Sequence, residues 1–249
     1  MVLFRINPLD FYERGEIKID NIYVKLLKKV MNFVVDTFYA VSIISMSVLA
    51  ILNITSVYKY VIDRYELTKY TGLSADILMD NYKRTIYYVQ NPFIKELNFN
   101  SLTMSDFGRI HFYEVKRIFI ALYVFMIAFI IIMIIKVFTN RNNDLSKKLI
   151  KRLNSSGNII ALIFIAVSAV ALVDFSKAFV FFHKIFFSND YWIFDPKIDP
   201  IINALPEELF MIEFILIVAL LILFTVAIKV FNFKLKNKVT FRRQKDKYR

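Results

Sequence analysis

An all-α integral membrane protein with four transmembrane helices is the fold class this sequence predicts, and three observations predict it. Apolar residues make up 57% of the 249-residue chain and aromatic residues 16%, more than a soluble core of this size needs. The 22% of charged residues gather between long apolar runs instead of recurring at helical period. Four of those runs reach the roughly 20 residues that carry a helix across a bilayer. The chain therefore reads as one membrane domain, 1–249, with no room for a large soluble one.

The first span is expected at about 33–57, with Asp36 near its start. It is too long for a cleaved leader and follows a mostly polar stretch, so the start is expected to be retained. The second, at about 118–137, is apolar between Arg117 and Lys136. The third, at about 159–182, carries Asp174 and Lys177 in its later half, spaced to pair along one helix face. A structural ion pair is the expected role. The fourth, at about 209–231, has Glu213 near its beginning. Asp36 and Lys136 lie near one membrane surface, where long or polar side chains are expected to snorkel.

Lysine and arginine fix the orientation. They concentrate before span one (Lys25, Lys28, Lys29), between spans two and three (Arg141, Lys147, Lys148, Lys151, Arg152) and in a basic tail at 232–249. With four spans these segments share one side, which the positive-inside rule makes the cytoplasm. Both termini are then cytoplasmic, and the loops 58–117 and 183–208 form a small outward-facing cap. A net charge of +12 is accounted for by this topology signal, so no nucleic-acid partner is expected; the bilayer itself is.

Within the cap, Ser74 can head a helix running to about Gln90, ended by Asn91 and Pro92. Ser105 can head another that passes through His111 into span two. Pro206 marks a helix start before span four, and Trp192 and Tyr191 suit headgroup depth.

The chain has only two histidines, and this topology puts both at the same interface. His111 precedes span two and His183 closes span three, so the rings can share a cleft. An imidazole titrating near pH 6.5 takes and returns protons around neutrality. Glu114, three residues after His111, can orient or charge that ring. There is no HExxH, cysteine, GxSxG, P-loop or dinucleotide fingerprint, so no metal or cofactor is assigned, and classical hydrolases and nucleotide enzymes are disfavoured. A histidine-gated transport or sensing protein, with Asp174 and Lys177 in its path, remains the alternative to an enzyme.

The block from Phe182 and His183 through Phe187, Asp190 and Trp192 to Asp195, continuing to Asp199 and Pro206-Glu207-Glu208, resembles a signature of the bacterial lipoprotein intramolecular transacylases. The stretch Ser105 to Val115, containing His111, is similar to the family's other signature, and a weaker block surrounds Tyr82 to Tyr88. Glu114 stands where that pattern carries an aspartate. The resemblance implies a multi-pass enzyme of the bacterial cytoplasmic membrane, its site facing outward. It would move the sn-2 acyl chain of a diacylglyceryl-cysteine lipoprotein onto that cysteine's α-amino group, leaving a lyso-form lipoprotein. His111 and His183 would be catalytic, Glu114, Asp190, Trp192 and Tyr82 supporting, and the diacylated lipoprotein the partner. A related enzyme acting on another lipid shares every one of these features.

Overall fold

The computed structural model describes residues 9–139 and 144–247, with side chains over 22–139 and 147–237. Arg141 and Arg249 lie outside the described residues, as do the side chains of Lys238, Arg242, Arg243, Lys245 and Lys247. The described chain is helical, in the order α1 (Leu9–Leu52), α2 (Thr55–Arg64), α3 (Leu67–Thr71), α4 (Ala75–Gln90), α5 (Asp106–Thr139), α6 (Asp144–Val173), α7 (Phe175–Phe186), α8 (Ile201–Ala204) and α9 (Glu207–Lys247).

Among the described residues, four segments are long and apolar enough to cross a membrane: Ile22–Leu52, Asp106–Thr139, Lys147–Val173 and Glu207–Asn237. In the bundle they form, α1 packs on α5, α6 and α9, and α6 on α9. Small and branched residues make the seam, with Ala40, Ile43, Ile160 and Leu221 buried at its centre. Three serines of α1 are also buried there, and each hydroxyl donates to the carbonyl one turn back: Ser42 to Phe38, Ser45 to Val41 and Ser47 to Ile43, at 2.8–3.0 Å. Small polar side chains satisfied by their own helix let neighbouring backbones approach closely in lipid.

At the α5–α6 turn end of the bundle, two charges expected to snorkel instead bond inward. Asp36 is buried and pairs with Arg152 of α6 at 3.0 Å, while the Lys136 ammonium donates to the Tyr39 hydroxyl at 2.5 Å. A facing helix supplies a partner, and burying a charge with one costs less than burying it alone.

Two boundaries differ from expectation. The helix of span one ends at Leu52, and Thr55 begins the separate α2. The helix of span three ends at Val173: Asp174 leaves the helical conformation (φ −161°, ψ 102°) and its carboxylate accepts from the Lys177 amide at 3.0 Å, capping α7. Its other oxygen meets the Lys177 ammonium, also at 3.0 Å, and Lys177 is largely exposed. The pair therefore marks a helix break instead of sitting inside a continuous span.

The larger core lies in the cap, at the other end of the bundle. Tyr58, Val61, Leu78, Tyr82, Phe112, Ile201 and Leu209 are buried there together, from α2, α4, α5, α8 and α9. Ser74 heads α4 as its spacing predicts, its hydroxyl accepting from the Ile77 amide at 3.4 Å, and the helix stops before Asn91-Pro92. Ser105 heads α5, accepting from the Gly108 amide at 2.9 Å, and that helix runs unbroken into the bundle. The cap is thus welded to the spans through α5 and α9.

Candidate active site

His111 lies in the second turn of α5 and His183 in the last turn of α7. Both are more than nine-tenths buried, and their ring centroids are 6.0 Å apart. The walls between them are aromatic. Phe187, the residue that ends α7, packs 4.7 Å from the His111 ring and 5.6 Å from the His183 ring. Trp192 lies 4.7 Å from His183, Phe179 4.3 Å from it, and Phe194 5.5 Å from His111.

The hydrogen bonds assign a tautomer to one ring. His183 Nδ1 is 2.8 Å from the Phe179 carbonyl oxygen, one helical turn back. A carbonyl can only accept, so Nδ1 carries the hydrogen and the Nε2 lone pair of a neutral ring is left available. Burial pushes the His183 pKa below the ordinary imidazole value, against a smaller upward push from that same bond. The ring is therefore poised neutral, as a base must be. Among the described residues, His111 Nδ1 is buried without a partner. An imidazole with an unused polar atom, facing a second imidazole with a free lone pair, can bind or move protons on one small polar group placed between them.

Glu114 does not bond to His111. Its Oε1 accepts from the Asn189 side-chain amide at 2.8 Å, and its Oε2 is buried with no partner among the described residues. The reason is the loop after α7, which folds back over α5 and brings Asn189 to the carboxylate. Asn189 was not singled out from the sequence, and no local spacing signals a contact across 75 positions. Trp192, by contrast, lines the cleft.

Two other expected supporting residues lie elsewhere. Asp190 sits in the turn closed by Ile193 N–H to its carbonyl (3.0 Å), with its side chain exposed. Tyr82 is buried in the cap core and stacks on Tyr58 at 4.3 Å, not on either imidazole. Its hydroxyl is 3.0 Å from the Leu52 carbonyl and 3.3 Å from the Glu213 carboxylate. Burial, then the neighbouring Glu213 charge, raises the Tyr82 pKa far enough that the phenol keeps its proton.

Asp199 is the residue that sequence reading did not place in the site's framework. Its buried carboxylate accepts from the Ser105 amide (2.7 Å) and the Ser105 hydroxyl (2.6 Å), at the N-terminus of the helix that carries His111. A negative charge there is favoured by the helix dipole. Gly108 makes room for it, since a β-carbon at that position would lie 2.6 Å from Asp199 Oδ1. The loop between α7 and α8 thus grips α5 through Asp199 on Ser105, Phe187 and Phe194 on His111, and Asn189 on Glu114.

The sequence profile of the lipoprotein intramolecular transacylase family Lit matches residues 33–210. Among solved structures, an in meso structure of the membrane integral lipoprotein intramolecular transacylase Lit from Bacillus cereus is 32% identical, with a TM-score of 0.69. It covers 88% of this chain and 99% of that one. Two variants of the same protein, with a histidine replaced by arginine or by alanine, are each 31% identical. Their TM-scores are 0.71 and 0.70, and they cover 90% and 89% of this chain. No curated protein sequence gives a significant match.

Proposed function

The chain belongs to the lipoprotein intramolecular transacylase family and is a membrane acyltransferase; on that premise we propose that it moves the sn-2 acyl chain of a diacylglyceryl-cysteine lipoprotein to that cysteine's α-amino group, using His183 and His111 as its acid–base pair. The observation that carries the reading is two buried imidazoles 6.0 Å apart, one with its Nδ1 hydrogen committed to a backbone carbonyl.

In this mechanism the substrate supplies both nucleophile and acyl donor, so the cleft's work is to fold them together and manage protons. An α-ammonium has no lone pair and cannot attack until it is deprotonated. His183 Nε2 takes the ammonium proton and passes it to solvent, and the freed nitrogen then attacks the ester carbonyl carbon, giving up a second proton to the imidazole pair. The carbonyl π pair moves to oxygen, and a hydrogen bond from His111 stabilises that oxyanion. Collapse breaks the bond from carbon to the glyceryl oxygen, which leaves with a proton returned by the imidazole pair. The products are an amide on the cysteine and a free hydroxyl on the glycerol, with no acyl-enzyme and no cofactor. Glu114, held by Asn189, stabilises positive charge as it develops near His111. Phe182 and Phe186, exposed on α7 beside His183, suit the acyl chain. Asp190 and Tyr82 take no step.

The lysine and arginine clusters favour a site facing outward and both termini in the cytoplasm of a bacterial cell. To test the function, the chain is expressed in a host lacking the activity, and lipoprotein N-termini are analysed by mass spectrometry. Lyso-form lipoprotein is expected with the native chain. His183→Ala and His111→Ala should each lower it by about 10²–10⁴-fold, the usual worth of a positioned acid or base. Unchanged product from both folded variants would remove the proposed mechanism.

A further inference from the structure

A second recess, mostly apolar in surface but edged by charged side chains, lies on the opposite side of α5 from the histidines. Arg109, Tyr113 and Lys116 follow one another at i, i+4 and i+7 and so share one helix face, whereas His111 is turned about 200° from Arg109. Between that face and the 94–97 loop is a cleft of about 220 Å³, lined by Lys95, Arg109, Glu96, Tyr88, Tyr113 and Ile110 among others. Neither Lys95 nor Arg109 is within ion-pair distance of a carboxylate among the described residues, although Glu96 lies at the same rim.

Beneath the cleft is a buried cation. Lys116 is 6% exposed, donates to the Ile94 carbonyl, and holds its ammonium 4.5 Å from the centroid of Tyr88, the ring that forms the cleft wall. No carboxylate meets it among the described residues. A buried ammonium without a counter-charge is costly, and in a membrane protein such a group is a functional candidate by default. Two cations, Lys95 and Arg109, thus line the recess and a third, Lys116, lies behind its Tyr88 wall, against Glu96 as the one carboxylate among the lining residues.

We propose that this cleft binds the phosphodiester headgroup of an anionic glycerophospholipid. Three features fit that ligand together. A guanidinium presents a planar fork to two phosphate oxygens, and Lys95 adds a point charge across the opening. Lys116 strengthens the field from behind Tyr88, where low polarizability screens it little. The depth is that of headgroups: Tyr113 and Lys116 precede the apolar run beginning at Ile118 by about 8 and 3 Å of helix. Ile110 and Tyr113, 41% and 54% exposed, supply an apolar rim for the glycerol and first methylenes. The lipid would occupy the back of the same helix that carries His111, separate from the acyl-transfer cleft, so the proposal is independent of the histidine mechanism.

The full chain is reconstituted in nanodiscs of phosphatidylcholine with a minor share of phosphatidylglycerol, released, and read by native mass spectrometry. One phosphatidylglycerol is expected to remain on the native protein, with at least about tenfold lower retention in the Lys95→Gln/Arg109→Gln double variant. Arg109→Lys keeps the charge without the fork and should be intermediate. Should the double variant fail to insert, Glu96→Gln replaces it: removing the one carboxylate is expected to tighten retention. Equal retention of phosphatidylcholine, retention unaltered by these changes, or release by millimolar inorganic phosphate would overturn the headgroup assignment, the last in favour of a free-phosphate site.

Discussion

His183 is held neutral by its surroundings, and its pH behaviour can be stated with sign. Burial lowers its pKa below about 6.5, the value of a free imidazole. The base form thus survives to more acidic pH than a solvated histidine would allow, and the acid limb of the activity profile is expected below pH 6.5. Stability follows the same group: the unfolded chain binds the proton more readily, so the His183 contribution is complete above pH 6.5 and declines as pH falls beneath it. An acid limb centred at or above pH 7 would contradict this. At Asp199 the expectation concerns position. Asp199→Asn weakens two hydrogen bonds to Ser105 and is expected to cost about 1–3 kcal/mol of stability. Gly108→Ala pushes a methyl against the same carboxylate and should lower turnover while both imidazoles remain. The pair should be non-additive, as groups sharing one contact are, and additive losses in melting and turnover measurements would separate them.

The break between α6 and α7 decides where His183 sits, because α7 is aimed independently of the span before it. Asp174→Ala removes both the cap on the Lys177 amide and the ion pair. Amide exchange in α7 is expected to accelerate while exchange in α6 is unaffected, and lyso-form product should fall. Uniform exchange across both helices would mean the break does not depend on this residue. The sequence contained the signal in ambiguous form. An aspartate three residues before a lysine reads equally as an intrahelical pair or as an N-cap, and the apolar residues on either side favoured the continuous reading. Ser74 and Ser105 were legible because each lies outside the long apolar runs, where a serine ahead of helix-forming residues reads as a cap and has no continuous span to compete with.

The molecule as a whole has a bundle seam of small and branched residues and a separate core in the cap that mixes aromatic and aliphatic side chains. The four spans were readable because apolar length is a one-dimensional property. Asn189 on Glu114 and Asp199 on Ser105 were not, because each joins positions 75 or 94 apart whose meeting depends on how a loop folds back. The proposed orientation has a direct test, helped by the absence of native cysteine. Phe93→Cys, at the exposed tip after α4, is expected to react with an impermeant maleimide on intact cells, and Lys148→Cys only after permeabilisation. The opposite pattern would invert the topology.

The Phe179 carbonyl that anchors the His183 ring belongs to the main chain. No exchange of a neighbouring side chain deletes that acceptor. The walls of the cleft can be recut for a longer, shorter or branched hydrocarbon while the basic nitrogen stays the same atom, so substrate preference and proton chemistry are separable by construction.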